Sequence, residues 1–116
     1  MRSFKITVVL FLILMICIIF NSLYIHRCAD SLTEKAEAIL NGGQTQELKV
    51  FWETNKKYIG ISISEAQLDN ISRLITVIDF NQRQGNRQEL ETNIALFTDA
   101  VEGMRRYEKI SIQNIF

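Results

Sequence analysis

Proline is absent from this sequence, and glycine occurs only five times in 116 residues. Proline interrupts helices and glycine often ends them, so the scarcity of both residues favours long helices with few turns. The glycines interrupt the chain at only four points: Gly42 with Gly43, Gly60, Gly85 and Gly103. We therefore expect an all-α fold.

Residues that carry catalytic chemistry are also scarce, since there are two cysteines and one histidine. Zinc sites need a cluster of Cys, His or carboxylate ligands; neither that spacing nor a glycine-rich phosphate loop occurs. His26 stands beside Arg27, and a lone histidine there is typical of a polar side chain at a membrane boundary. We predict that the protein is not an enzyme and has no catalytic, metal-binding or cofactor-binding residues.

The two cysteines, Cys17 and Cys28, cannot form a disulfide with each other if one helix carries both, because they would lie about 16 Å apart. Two alternatives remain open for Cys28: a free thiol, or an intermolecular disulfide in an oxidising compartment. The bulky and charged residues before Cys28 do not resemble a lipid-attachment site.

Acidic and basic residues are balanced, with thirteen of each. A nearly neutral domain has no broad basic surface that could neutralise many phosphates. We therefore expect no nucleic-acid partner.

One apolar run dominates the chain. Residues 6–20 carry no charge, and only Thr7, Met15 and Cys17 among them are not Ile, Leu, Val or Phe. A membrane-spanning helix needs about 20 residues to cross a hydrocarbon core about 30 Å thick, so the predicted span extends to residues 6–25. Its apolar side chains favour insertion by roughly 4 to 7 kcal/mol. The alternatives are a buried helix, which normally has a polar face, and a cleaved signal peptide, which normally ends in small residues.

The basic residues next to the span predict its orientation. Arg2, Lys5 and the terminal amine form a tighter cluster before the span than Arg27 and Lys35 form after it. We therefore predict a single-pass cell-membrane protein with an uncleaved signal anchor. Its parts are a cytoplasmic N-terminus (1–5), the transmembrane helix (6–25), an extracytoplasmic helical domain (26–109) and an extended C-terminal tail (110–116).

Beyond the span, apolar residues recur at helical spacing. Ser64 with Gln67 and Asn86 with Glu89 have the spacing of capping boxes, so each pair predicts a helix start. The first segment either continues the membrane helix or begins afresh at Ser31. The predicted segments are 29–40, 45–59, 64–82 and 86–107. The seam predicted for the last segment is Leu90, Ile94, Phe97, Val101 and Met104.

Short turns between these segments predict two antiparallel helical hairpins, 29–59 and 64–107, packed side by side as a small bundle. A long dimeric or trimeric stalk is the alternative fold. The turns at Gly42 and Gly85 argue against an uninterrupted stalk.

Aromatic residues of the second segment are the candidate contact residues. Trp52, with Phe51 and Tyr58, either fills the core or anchors a partner, because tryptophan is enriched at interaction hot spots. The terminal Ile115 and Phe116 likewise either dock on a partner or pack back on the bundle.

Over nearly its whole length, the chain resembles a family of short single-span bacterial membrane proteins known as the domain of unknown function DUF4363. The features that carry the resemblance are the N-terminal span, Trp52 followed by Lys56 and Lys57, the helix start at residues 65–71, and the final Asn114, Ile115 and Phe116. The chain lacks an earlier tryptophan and a histidine that members often carry, so the roles of those residues do not transfer. The resemblance implies a small membrane-anchored helical protein and no particular activity.

Our leading hypothesis is that residues 6–25 lie in the lipid bilayer while the helical domain binds another protein, or a second copy of itself, as an assembly or regulatory subunit. The alternative is a sensor that binds a small molecule between its helices, with Asn55, Asn70 and Arg73 as polar contacts. A pore-forming protein ranks last, because permeabilising a membrane does not need an ordered, capped soluble part.

Overall fold

The computed structural model describes residues 2–115 and the side chains of residues 2–110. All regular structure in that part of the chain is helical, which confirms the predicted all-α class. The four helices are α1 (Arg2–Leu40), α2 (Thr45–Ile59), α3 (Glu65–Gln84) and α4 (Arg87–Ile115).

Helix α1 runs without interruption for 39 residues, a length of about 58 Å at 1.5 Å per residue. Its first half protrudes from the rest of the molecule, and its second half buries one face: Ile25, Cys28, Ala29, Leu32, Ala36 and Ile39. No break occurs near Cys28, so Ser31 does not begin a separate helix. Among the described residues, α1 is the one helix long and apolar enough to span a membrane, and none of its most apolar window is buried in the protein.

The second half of α1 packs with the other three helices as a bundle. Each helix is antiparallel to the next, and α4 closes the ring by packing on both α3 and α1. This arrangement matches the two predicted hairpins packed side by side. The chain does not form the alternative, an uninterrupted stalk, in the part that the structure describes.

The bundle has two distinct ends. At the basal end, from which α1 protrudes, the Asn21 amide donates a hydrogen bond to the Ser62 hydroxyl in the α2–α3 turn. At the distal end lie the α1–α2 turn and the α3–α4 turn. There, the Gln82 amide donates to the Gly43 carbonyl at 2.8 Å, which ties these two turns together.

Apolar side chains from all four helices form the core between these ends. The seam predicted on α4 is buried throughout, from Leu90 to Met104. The largest fully buried side chains are Trp52, Phe97, Ile25, Leu32, Leu48, Ile59, Ile71, Ile78, Met104 and Val101. Each contributes roughly 1.5 to 3 kcal/mol through the removal of apolar surface from water.

Local capping sets the helix boundaries as predicted. Ser64 and Gln67 form the complete capping box at the start of α3, and the Asn86 carboxamide accepts from the Glu89 amide at 3.2 Å at the start of α4. Gly85 ends α3 with φ +70°, a left-handed conformation that residues with a Cβ adopt at a cost.

The C-terminal segment differs from the expected extended tail, because α4 continues to Ile115. No proline or glycine follows Gly103, so the two residues that most often end a helix are absent from this segment. The alternation of Ile110 and Ile112 with polar residues, which suggested an extended tail, covers too few positions to indicate that the helix ends.

Candidate functional site

Trp52, the first candidate contact residue, lies in the core. Its side chain is 1 % exposed, and the indole N–H donates to the Ser72 hydroxyl on α3 at 2.8 Å. A buried indole needs such an acceptor. Of the two interpretations of Trp52, filling the core describes its position in this structure.

Phe51 and Tyr58, on the same helix, lie at the surface instead. Phe51 is half-buried, and the Lys35 ammonium lies 5.5 Å from the centre of its ring, a cation–π distance. Tyr58 is 55 % exposed and packs edge-to-face on Tyr24, with ring centres 6.5 Å apart. Of the three candidate contact residues on α2, Phe51 and Tyr58 are therefore accessible to a partner, and Trp52 is not.

A groove of about 480 Å³ runs beside Phe51 between α2 and the end of α1. Apolar and polar side chains both line it, and Val50 on its wall is 53 % exposed. Its lining residues are Lys35, Gln44, Gln46, Glu47, Val50, Phe51, Thr54 and Asn55. We call this feature the α1–α2 groove.

The structure separates the three polar residues that were expected to contact a small molecule. Asn55 lines the α1–α2 groove and accepts a hydrogen bond from the Tyr24 hydroxyl at 2.6 Å. Arg73 donates to Asn70 at 2.8 Å on the exposed face of α3. These residues therefore do not converge on one cavity, and Asn55 alone lies in the groove.

The other two candidate contact residues are at the C-terminus. Phe116 lies outside the described residues, as does the side chain of Ile115. Their predicted contacts with a partner, or with the bundle, therefore remain predictions.

Sequence reasoning missed a polar cluster at the distal end, centred on the buried Asp79 carboxylate. It accepts from the Thr45 hydroxyl at 2.5 Å and from the Lys49 ammonium at 2.8 Å, and it pairs with Arg83 one turn along α3. The Arg83 guanidinium, aided by Lys49 and Thr45, holds the pKa of Asp79 well below its usual range, although burial opposes that shift. The cluster joins α2 to α3. In the sequence, the cluster is indicated only by an acidic residue, Asp79, that stands among the apolar residues of α3.

A second buried carboxylate, Glu108, lies at the basal end of α4. Its side chain is 3 % exposed, and His26 Nε2 lies 3.8 Å from one of its oxygens. Neither oxygen has a hydrogen-bond partner among the described residues. Sequence reasoning treated His26 as an interfacial side chain and did not pair it with an acid.

Cys28 packs against this region of the core and is 4 % exposed. Burial raises the pKa of its thiol, although a hydrogen bond with Tyr24 acts in the opposite direction. The thiolate is the reactive form of cysteine. A buried thiol with a raised pKa fits the free-thiol alternative better than the intermolecular disulfide.

Within the described residues, no group of three or more His, Cys, Asp or Glu side chains could hold a metal ion. Comparison with known proteins adds no relative: no family model matches the chain, and neither the curated proteins nor the solved structures contain a match. The proposals below therefore rest on the sequence and the structure of this chain.

Proposed function

We propose that this chain is a single-span membrane protein whose helical bundle lies at the extracytoplasmic surface and binds another protein there. The long, exposed apolar half of α1 supports the membrane part of this proposal. Arg2 and Lys5, which precede the apolar run, support a cytoplasmic N-terminus. These features also agree with the resemblance to the small single-span family DUF4363, and membership of that family is part of the proposal.

The observation that carries the binding role is the exposed apolar surface of α2. Val50 and Tyr58 are exposed and Phe51 is only partly buried against the core, although α2 supplies three other large apolar side chains to the core. Exposed aromatic residues beside a groove are typical of surfaces that bind proteins. The interaction surface that we propose is the α1–α2 groove together with Tyr58.

A non-catalytic role is part of the same proposal. The buried polar groups form pairs that join helices, as Asp79 does, or lie in the closed interior, as Glu108 does. Catalysis needs an acid, base or nucleophile that a substrate can reach. The α1–α2 groove offers Lys35, Glu47 and Asn55 as its main polar side chains, without a nucleophile paired with a base.

A small-molecule sensor is the second candidate function, and the same groove favours it. Lys35 and Glu47 supply opposite charges on its lining, and Asn55 supplies a carboxamide. Its volume lies within the usual range for ligand pockets, roughly 300 to 1,000 Å³. The groove is open along the bundle surface, so a small ligand would remain partly in contact with solvent.

Photo-crosslinking of the full chain in intact cells separates these candidates. A photoreactive amino acid is placed at Val50 and, separately, at Tyr58, with Thr76 on the exposed face of α3 as the control position. We expect a discrete adduct with a second protein from Val50 and Tyr58 and none from Thr76. Adducts with the chain itself identify a homo-oligomer. The absence of adducts from both Val50 and Tyr58 contradicts the protein-binding proposal and favours the small-molecule sensor.

A further inference from the structure

The α2–α3 turn, residues 60–64, lies beside the end of the predicted membrane span. The Asn21 amide on α1 donates to the Ser62 hydroxyl, so the turn is level with residue 21. The predicted span extends four residues further, to residue 25, which is about 6 Å along the helix. One part of the bundle therefore overlaps the last residues of the predicted span.

The length of α1 that protrudes from the bundle agrees with this overlap. Residues 2–20 are not buried, and burial along α1 begins at Ile25. The protruding residues measure about 28 Å at 1.5 Å per residue, and the hydrocarbon core of a bilayer is about 30 Å thick. If α1 spans the bilayer, no free length of helix separates the α2–α3 turn from the membrane surface.

The turn itself carries no charge. Residues 58–64 contain no Asp, Glu, Lys or Arg, and Lys57 and Glu65 flank this segment. The exposed charges nearest to the turn are thus of both signs, and the acidic Asp69 follows one turn along α3. A lipid that contacts the turn is therefore held by apolar contact and not by the charge of its headgroup.

Ile61 is the apolar side chain that the turn presents. It is 81 % exposed, more than any other large apolar side chain among the described residues. Ile63, two residues later, is buried in the core, so the fold directs one isoleucine of the turn inward and the other outward. Removal of such an exposed apolar side chain from water is favourable.

The backbone of the turn is also suited to a site with little water. Lipid supplies no hydrogen-bond partners, so a segment that enters a bilayer has to satisfy its N–H groups internally. Each backbone N–H from Gly60 to Ser64 has an acceptor within the protein. The acceptors are the carbonyls of Lys56, Tyr58 and Ile59 and the side chain of Gln67, at 2.9 to 3.4 Å.

We propose that the α2–α3 turn is a second membrane contact of this chain, in which Ile61 inserts between the lipid headgroups and reaches the upper part of the acyl chains. The partner is the surface of the bilayer, whether its headgroups are zwitterionic or anionic. This inference rests on the proposed membrane span, but not on the proposed protein partner. Because the turn lies to one side of α1, its insertion restricts the tilt of the bundle relative to the membrane.

The test measures contact with lipid by tryptophan fluorescence, in the full chain reconstituted into phosphatidylcholine bilayers. Phosphatidylcholine that is brominated near the headgroup end of its acyl chains quenches a tryptophan in contact with that depth. The test variant is Ile61→Trp. Its matched control, Val50→Trp, also replaces an exposed apolar residue of this hairpin, roughly 15 Å further from the membrane. Leu14→Trp reports on the span, and the native chain gives the background emission of Trp52.

We expect the brominated lipid to quench at least about half of the emission that Ile61→Trp adds, because apolar groups at an interface lie roughly 5 to 10 Å into the boundary between headgroups and acyl chains. The emission that Val50→Trp adds should not be quenched. Replacing part of the phosphatidylcholine with anionic phosphatidylglycerol should leave both results unchanged, because the charges around the turn are of both signs.

Two results overturn the proposal. One is quenching of Ile61→Trp that does not exceed the quenching of Val50→Trp. The other is quenching of Ile61→Trp only when phosphatidylglycerol is present, because electrostatic attraction would then account for the contact.

The Leu14→Trp variant separates failure of the turn contact from failure of the span. Quenching of Leu14→Trp without quenching of Ile61→Trp refutes the turn contact and leaves the proposed span intact. Absence of quenching in Leu14→Trp, also with lipid brominated near the ends of its acyl chains, refutes the span and the turn contact together.

Discussion

Replacing Asp79 with asparagine should destabilise the bundle by about 2 kcal/mol at neutral pH. The native carboxylate accepts hydrogen bonds from Thr45, Lys49 and Arg83. Hydrogen bonds to a charged group contribute about 1.5 to 3 kcal/mol each when they are shielded from water. Only the Thr45 contact is buried, because the Lys49 side chain is 35 % exposed and that of Arg83 is 71 % exposed.

Solvent screening therefore weakens both ion pairs, and the Lys49 pair contributes below about 1 kcal/mol. Asparagine retains one acceptor oxygen for Thr45 but presents an N–H₂ group where a second acceptor stood. The expected loss of about 2 kcal/mol combines a weakened buried hydrogen bond with the loss of two screened pairs. Such a loss is a substantial fraction of the 5 to 15 kcal/mol by which typical domains are stable.

The effect should depend on pH in one direction. Because the pKa of Asp79 is lower in the folded protein than in the unfolded chain, folding favours its deprotonated form. Its contribution is complete above the unfolded pKa and is lost as the pH falls below about 4 towards the folded value. The difference between the native chain and the Asp79→Asn variant should therefore shrink in acid.

The assay is urea-induced unfolding of the full chain in detergent micelles, followed by circular dichroism at neutral and acidic pH. Asp99→Asn is the matched control, because Asp99 is exposed on α4 and forms no ion pair among the described residues. A loss below about 0.5 kcal/mol for Asp79→Asn, the range of ordinary surface substitutions, would refute the reasoning. A difference that stays constant from neutral to acidic pH would refute it too.

Three further predictions follow from the packing and capping of the bundle. Trp52→Ala should lower the free energy of unfolding by about 3 to 5 kcal/mol, because it leaves a cavity in the core and removes the partner of Ser72; a loss below about 1 kcal/mol in urea unfolding would contradict the core position. Ser64→Ala should cost about 0.5 to 2 kcal/mol by the same measurement, because the capping box of α3 is lost, whereas an unchanged stability would show that the cap is dispensable. In a Cys17→Ser variant, which removes the other free thiol, Cys28 should react with a maleimide in urea but not in the folded chain, because its thiol is buried; rapid labelling without urea would contradict that burial.

Periodicity predicted the architecture well because helix formation here depends on local rules. Ser64 with Gln67, and Asn86 ahead of Glu89, capped helices as their spacing indicated. The apolar seam of α4 was buried as predicted, since residues three and four apart share one helix face. The predicted end of α4 was wrong. The prediction gave too much weight to a short alternating pattern and too little to the absence of proline and glycine after Gly103.

The candidate site was harder to predict, because side-chain burial depends on which neighbouring helix covers each face. Trp52 and Tyr58 both belong to the aromatic stripe of α2, yet Trp52 is buried against α3 and Tyr58 faces solvent. Phe80, a large apolar residue of α3, is likewise 60 % exposed. Periodicity identifies the apolar face of a helix, but it does not show how much of that face a neighbouring helix covers. For the same reason the sequence does not pair Asp79 with Thr45, which lies 34 residues away and on another helix.

The continuity of α1 links the proposed membrane span to the α1–α2 groove. One helix carries the apolar half, the basal contacts of Asn21 and Tyr24, and the Lys35 wall of the α1–α2 groove. A helix without a break holds these positions at fixed heights, so Lys35 lies about 15 Å along α1 from residue 25. If α1 spans the bilayer, the groove is therefore held above the membrane surface at a fixed height. A protein bound in the groove would then lie close to the membrane surface, whether that partner is soluble or membrane-anchored.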